Sequence, residues 1–125
     1  MLIPGDLRYS TDHEWVRVDG NRVTVGITDY AQDALGDVVF VQLPEQGVSV
    51  AAGESMSEVE STKSVSDIFA PVAGRVVAVN EEVESKPELL NADPYGAGWL
   101  FVLEVDPSSV EALLDAAAYQ ALTEQ

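Results

Sequence analysis

Lys63 is the residue with the clearest chemical potential, because it lies at the centre of a stretch of alternating side chains. The alternation over residues 58–62, and again over 64–68, predicts two β-strands. Thr62 and Lys63 then form the two-residue turn of a tight hairpin, although the Asn-Gly or Asp-Gly pair that usually favours such a turn is missing. Small polar neighbours leave the ammonium accessible. This arrangement favours a covalent cofactor carried on Lys63 over a catalytic centre of the chain's own.

The acidic surroundings of this lysine restrict its chemistry. Glu58, Glu60 and Asp67 lie on the predicted flanking strands. Carboxylates around an amine disfavour Schiff-base formation and general-base catalysis, both of which need an uncharged amine. The same acids suit recognition by a modifying ligase. From this residue alone, a merely solvated surface charge remains the alternative.

A second polar cluster, Asp12-His13-Glu14-Trp15, contains the only histidine of the chain. A catalytic triad needs a nucleophile beside such a histidine, and no residue identifies itself as one. One histidine near one glutamate is also too weak a pattern for a metal site, so we predict no bound metal. We interpret the cluster as the polar start of a strand, with Trp15 anchored in the core.

The stretch 91–99 is rich in turn-forming residues and ends at Trp99. Gly96 and Gly98 suit tight turns or a close approach of two backbones. No helix start follows them, which argues against a phosphate-binding loop. The stretch is then either a shaped surface loop or one wall of a cofactor pocket.

Length and charge exclude several classes of function. The 125 residues predict a single domain over 1–125, and a net charge of −16 argues against nucleic acid or an anionic membrane as partner. The absence of cysteine excludes disulfides and thiolate metal sites. No targeting peptide or membrane-spanning run is visible, so we expect a cytoplasmic protein that docks onto basic partners, and we expect it to be a monomer.

Short strands separated by turns dominate the rest of the pattern, which indicates a mainly β sandwich or barrel with appended helices. Residues 37–43 form a nearly continuous apolar run and predict a strand buried on both faces. Residues 108–120 predict a closing helix with one apolar stripe, capped by Ser108 or Ser109. The other predicted elements are a hairpin over 16–25, a helix over 30–35 between Thr28 or Asp29 and Gly36, strands over 75–79 and 99–105, and a short helix within 81–90.

Taken together, these residues resemble the glycine cleavage system H proteins, a family of lipoyl carriers. The resemblance runs through nearly the whole chain in order. Its matching stretches are Tyr9, 12–16, 25–32, 35–44, 59–67, 71–74, Asn80, Pro87, 89–91 and 94–99. The chain departs from many relatives at Thr62, where valine is common, and from some at Ala34, where they have histidine.

The resemblance implies a lipoyl-type barrel-sandwich hybrid fold and lipoic acid joined through an amide to Lys63. It also implies that the loaded arm folds back into a cleft near an acidic stretch. The residues implied for recognition by the lipoylating enzyme are Glu60, Gly47 and Gly74, and those implied for the cleft are Asp12, Glu14 and Asp67.

The same resemblance implies a non-catalytic carrier that moves the aminomethyl group of glycine between enzymes. The implied partners are glycine decarboxylase (P protein), the aminomethyl transferase (T protein), dihydrolipoamide dehydrogenase (L protein) and a lipoate ligase or lipoyl transferase. A relay that donates lipoate to other lipoylated enzymes would need the same lysine. An unmodified interaction module remains a further alternative, whereas a hydrolase lacks its nucleophile–base pair.

A biotin carrier is the remaining alternative with a similar hairpin. Its lysine normally lies between two methionines. Thr62 and Ser64 occupy those positions here, and the nearest methionine is Met56. The pattern therefore favours lipoate over biotin.

Overall fold

The computed structural model describes residues 1–124, which fold into two β-sheets with short helices around them. No helix within those residues is long and apolar enough to cross a bilayer. The strands are β1 Arg8–Tyr9, β2 Glu14–Asp19, β3 Arg22–Ile27, β4 Val38–Gln42, β5 Ser49–Val50, β6 Ser55–Ser61, β7 Val65–Phe69, β8 Gly74–Val79 and β9 Phe101–Glu104. The helices are α1 Asp29–Leu35, α2 Glu82–Ser85, α3 Leu89–Ala92 and α4 Ala116–Thr123, with a 3-10 helix at Pro107–Ala112.

The two sheets enclose one main apolar core. One sheet has the order β1-β2-β3-β9-β8-β5 and the other has the order β4-β6-β7. The inward-facing residues of the strands line this core, which consists mainly of β-branched and leucine side chains. Its most completely buried members include Val23, Val25, Val59, Val76 and Leu103. The mainly β fold predicted from the sequence is confirmed.

The β2–β3 hairpin forms as predicted. Asp19 pairs with Arg22, so Gly20 and Asn21 make a two-residue turn. Gly20 has a φ of +63°, which an L side chain rarely adopts. Trp15, on β2, is completely buried, as the sequence indicated.

Helix α1 also matches its prediction. The Thr28 side chain accepts a hydrogen bond from the Ala31 amide and caps the first turn. Gly36 ends the helix with a φ of +81°. Asn91 holds this end in place, because its side chain donates to the Gly36 carbonyl at 2.8 Å and accepts from the Val38 amide at 2.9 Å.

The prediction that the strand over 37–43 is buried on both faces is wrong. Val38 and Val41 are buried in β4, but Val39 and Phe40 are 55% and 47% exposed. Two features explain this. The three-stranded sheet packs on the core through one face only, and a β-bulge between Val38 and Phe40 changes the alternation.

The predicted closing helix over 108–120 is broken into two pieces. Leu114 exchanges two backbone hydrogen bonds of 2.8 Å with Tyr9, so its amide and carbonyl extend the sheet. Asp106 caps the 3-10 helix in place of Ser108 or Ser109. Asp115 starts α4 again by accepting from the Ala118 amide at 2.8 Å. A long-range backbone pairing thus overrides the helical periodicity.

Candidate functional site

The hairpin tip that carries Lys63 is held together by one serine. The Ser61 amide donates to the Ser64 carbonyl at 2.8 Å, which leaves Thr62 and Lys63 as the two turn residues. The Ser61 hydroxyl oxygen accepts from the amides of Lys63 and Ser64 at 3.2 and 3.1 Å. Neither Thr62 nor Lys63 has a positive φ, since His13 is the one non-glycine residue in 1–124 that does. The turn therefore does not need the Asn-Gly pair, which favours turns with positive φ. Lys63 is exposed on it.

The stem of Lys63 lies against the end of α1. A Cβ atom placed on Gly36 would be 3.2 Å from Lys63 Cε, tighter than most real contacts of this kind. The Thr62 amide also donates to the Asp37 carbonyl at 3.0 Å, which fixes the tip beside this helix end. The glycine therefore both ends the helix and leaves room for the lysine.

A cleft of about 290 Å³ begins beside Lys63 and runs between α1 and β7. Its walls are largely apolar, and its polar groups include carboxylates and an imidazole. The lining residues are Asp12, His13, Ile27, Tyr30, Ala31, Ala34, Leu35, Ser64, Val65, Ser66, Asp67 and Ile68. It can accept a narrow hydrocarbon chain and pair a positive charge.

The structure brings two of the three predicted cleft acids together. Asp12 and Asp67 both line the cleft, whereas Glu14 does not. Glu14 is 1% exposed, and its carboxyl group accepts from the Ser10 hydroxyl at 2.6 Å and from the Phe69 amide at 3.1 Å. Burial raises the pKa of this carboxyl to about 7. Glu14 thus links β2 to the open edge of β7.

The three residues implied for enzyme recognition lie in different places. Glu60 is on β6 of the lysine hairpin, between Phe40 and Val65 on the neighbouring strands. Gly47 and Gly74 lie at the six-stranded sheet, where Gly74 begins β8. Gly47 has a φ of +90° and donates to the Val76 carbonyl at 2.7 Å. A Cβ on Gly74 would come within 2.6 Å of the Glu104 carbonyl oxygen.

Within the stretch 91–99, Asn91 and Ala92 end α3 and residues 93–99 form a shaped loop. None of these residues lines the cleft. The Pro94 carbonyl accepts from the Trp15 indole at 2.8 Å. Gly98 comes so close to the Leu89 carbonyl oxygen that a Cβ would be 2.7 Å from it. The close backbone approach predicted for the glycines of this loop is therefore confirmed at Gly98.

Sequence reasoning gave His13 no role beyond a strand start, but the structure places it in the cleft wall. Its Nδ1 is 2.8 Å from the Tyr119 hydroxyl, and its ring stacks on Tyr30 with centroids 4.6 Å apart. Its φ of +68° is uncommon for a non-glycine residue. Burial lowers the pKa of this imidazole, opposed in part by Asp12. Tyr119 is 106 positions away, so no local pattern could have revealed this contact.

Two facing sheets that raise one exposed lysine on a tight hairpin form a lipoyl-type barrel-sandwich domain, the fold class that the resemblance implied. No group of three or more histidine, cysteine or acidic residues in the described chain has the arrangement of a metal site.

Comparison with known proteins identifies the particular family. The family model described as "Glycine cleavage H-protein" matches residues 7–125. The chain is 65% identical over 125 residues to the glycine cleavage system H protein of Nocardia farcinica, with 95% of each covered. It is 58% identical over 123 residues to that of Beutenbergia cavernae, with 98% of each covered. The chain belongs to the glycine cleavage H-protein family.

The fold agrees with a solved member of the same family. The crystal structure of a glycine cleavage system H protein from Mycobacterium marinum superposes with a TM-score of 0.90 at 48% sequence identity. The match covers 98% of this chain and 100% of the other. The likeness therefore extends over both sheets and the helices around them.

Proposed function

We propose that this protein is the lipoyl carrier of a glycine cleavage system, with the lipoyl group joined through an amide to Lys63. The observation that supports this best is an exposed lysine on a hydrogen-bonded turn, directly beside a cleft of about 290 Å³. The chain has one other lysine, Lys86, which is exposed after α2 and lines no part of that cleft. The position and surroundings of Lys63 thus favour it over Lys86 as the attachment site.

The residues around Lys63 fit this cofactor. The bound group would supply a disulfide that can be reduced and can carry a one-carbon amine. Its arm reaches roughly 10–15 Å beyond the backbone. The extended chain from Ser64 to Ile68 spans about 13 Å, so an arm lying along β7 would end beside the far residues of that strand. The apolar walls suit the hydrocarbon, and an arm lying in the cleft would displace water from them.

The two cleft acids have a defined role in this proposal. A carboxylate in a confined site pairs well with a cationic nitrogen through charge-assisted hydrogen bonds. Asp12 and Asp67 are the cleft residues that can do so. We propose that Glu14 has a structural role and joins β2 to β7. Its carboxyl group is buried and already accepts hydrogen bonds from Ser10 and Phe69.

The lipoylating enzyme must reach the lysine amine itself, so it must approach the hairpin closely. Glu60 pairs with Val65 next to the tip of the β6–β7 hairpin. In this proposal it contacts the lipoate ligase or lipoyl transferase. Gly47 and Gly74 act through the backbone geometry of the larger sheet in this proposal. Their positive φ and close contact, respectively, require glycine.

The remaining partners act on the arm rather than on the lysine. They are glycine decarboxylase, the aminomethyl transferase and dihydrolipoamide dehydrogenase. A net charge of −16 favours docking onto basic surfaces around their active sites. In this proposal the protein acts as a single-domain, monomeric, non-catalytic carrier in the cytoplasm.

Replacement of each lysine tests the proposal. Lys63→Arg keeps the positive charge but cannot form the amide, so glycine-dependent turnover in the reconstituted system should be lost while the fold is retained. Lys86→Arg is the matched control and should support normal turnover. Equal turnover with the two variants would exclude Lys63 as the attachment site.

A further inference from the structure

His13 lies at the end of the cleft that is away from Lys63. Both walls of the cleft run in that direction. Ser64 and Leu35 lie near the lysine, whereas Ile68 and Tyr30 lie farther along, and His13 stacks on Tyr30. A group attached to Lys63 and lying along the cleft would therefore end beside the imidazole.

A chain of hydrogen bonds fixes which nitrogen of His13 carries the proton. Thr28 is completely buried, and its hydroxyl oxygen already accepts from the Ala31 amide at 3.2 Å. The hydroxyl hydrogen needs an acceptor, and the partner within reach is the Tyr119 oxygen at 2.7 Å. Tyr119 then donates its own hydrogen to His13 Nδ1 at 2.8 Å.

The opposite direction of donation leaves a group unsatisfied. If Nδ1 donated to Tyr119 and Tyr119 donated to Thr28, the buried Thr28 hydrogen would have no partner, which costs about 1–3 kcal/mol. Burial raises the pKa of Tyr119 to about 12, so the phenol keeps its hydrogen. The satisfied network therefore gives a neutral imidazole with its hydrogen on Nε2.

We propose that His13 is held as the neutral Nε2–H tautomer and presents this N–H to a sulfur atom at the end of the arm. The inference rests on the proposed lipoyl attachment. A cationic nitrogen has only donors, so it suits Asp12 and Asp67 and not an N–H group. Sulfur is a weak acceptor, and a stronger one as a thiolate, so it matches the N–H that the network leaves free. The cleft then holds each part of the loaded end separately.

The backbone of His13 supports a fixed position rather than an incidental one. Its φ of +68° is the single positive value at a non-glycine residue within 1–124, and such conformations cluster at functional sites. The Thr28 amide donates to the His13 carbonyl at 3.1 Å, which ties this residue to the start of α1. The imidazole is thus clamped from its backbone, its ring face and its Nδ1.

Nuclear magnetic resonance of the imidazole nitrogens tests the first half of the inference on the unmodified protein. Because His13 is the only histidine of the chain, one set of signals reports it. We expect a protonated Nε2 and an unprotonated Nδ1 at pH 7. An Nδ1–H tautomer, or an imidazolium, at this pH would overturn the proposal.

A matched pair of tyrosine variants tests whether the network sets this state. The groups around the ring are Asp12 beside it, Tyr30 from α1, Tyr119 from α4 and Asp67 across the cleft. Tyr119→Phe frees Nδ1 for protonation, so the titration midpoint of His13 should rise. Tyr95→Phe is the control, because that hydroxyl bonds Asp29 and Leu2 instead. Equal midpoints in the two variants would contradict the network.

The lipoylated protein tests the second half. The Nε2 resonance should shift on attachment of the arm and shift again when the disulfide is reduced. His13→Gln, which keeps an N–H donor, should retain the docked arm, whereas His13→Leu should lower the docked-to-free ratio by roughly two- to tenfold. Both variants meet the same backbone strain, so the comparison isolates the donor.

The outcomes separate this inference from the proposed function. If intact mass shows lipoate on Lys63 but the Nε2 resonance stays unchanged in every state of the arm, the sulfur contact is refuted and the carrier function stands. If Lys63 takes no lipoate from a competent ligase, the function and the inference fail together.

Discussion

At the scale of single residues, the site depends on which carboxyl groups are open and which are buried. Asp12 and Asp67 face the cleft, while Glu14, only two positions from Asp12, is sealed under the edge of β7. The sequence alone suggests that the three acids are equivalent. Burial separates them, because a carboxyl group without access to water can neither meet a ligand nor ionise easily.

Glu14 should give the fold a characteristic pH dependence. Its folded pKa of about 7 lies above the ordinary value of 4.5, so the native state binds more protons than the unfolded state between these values. The contribution of Glu14 to stability is therefore fully present below about pH 4.5 and is lost as the pH rises toward 7, by about 2–3 kcal/mol. Urea unfolding at several pH values measures this slope, which should be flatter in Glu14→Gln. Parallel slopes in the two proteins would show that Glu14 is not the group responsible.

Asp12 and Asp67 should protect the loaded arm. Replacing either one with alanine removes a charge-assisted contact and should shorten the lifetime of the bound methylamine by roughly two- to tenfold. This lifetime is measured by taking samples of the loaded protein at intervals and assaying the methylamine that remains bound. Asp19→Ala, at the exposed end of β2, is the control. Unchanged lifetimes in both cleft variants would remove the role assigned to these acids.

At the scale of secondary-structure elements, local patterns predicted what local interactions decide. The hairpin turn at Gly20 and the limits of α1 follow from turn and cap residues that are visible in the sequence. The exposure of Phe40 and the break at Leu114 do not, because they depend on which face a sheet covers and on pairing with a distant strand. His13 was overlooked for the same reason.

Gly36 joins an element boundary to the lysine and can be tested at that level. Gly36→Ala should destabilise the fold by about 1–3 kcal/mol, because the position has φ +81° and ψ −157°, and it should also displace the Lys63 stem. Gly53→Ala is the matched control, since Gly53 has a φ of +84° with open space around it. Unfolding and the rate of lipoylation by a ligase are the measurements. We expect slower lipoylation in Gly36→Ala alone. Equal rates in the two variants would show that the contact with Lys63 is unimportant.

At the scale of the whole molecule, the fold positions the site and the net charge acts at long range. The two sheets hold the lysine turn and the cleft in fixed relation, and we expect the acidic surface to govern encounters with other proteins. The excess of acidic over basic residues, 22 against six, produces a field that reaches beyond any single contact. The acidic charge could be predicted from the composition alone, whereas the cleft could be recognised only in the folded structure.

This surface charge predicts a salt dependence for each partner. Raising the ionic strength shortens the Debye length from about 10 Å at 0.1 M, so association with a basic partner should slow. The KM for the lipoylated carrier in the decarboxylase reaction should rise with salt, while the KM for glycine stays nearly constant. Steady-state assays at several salt concentrations provide the comparison. A carrier KM that does not respond to salt would exclude electrostatic docking.

The most direct test of the carrier function is the mass of the protein after incubation with lipoate, ATP and a lipoate ligase, followed by mapping of the modified peptide. The proposal predicts one lipoyl group per chain, located on Lys63, and none on Lys86. Modification at Lys86, or a chain that remains unmodified under conditions in which another lipoyl domain is fully converted, would contradict it.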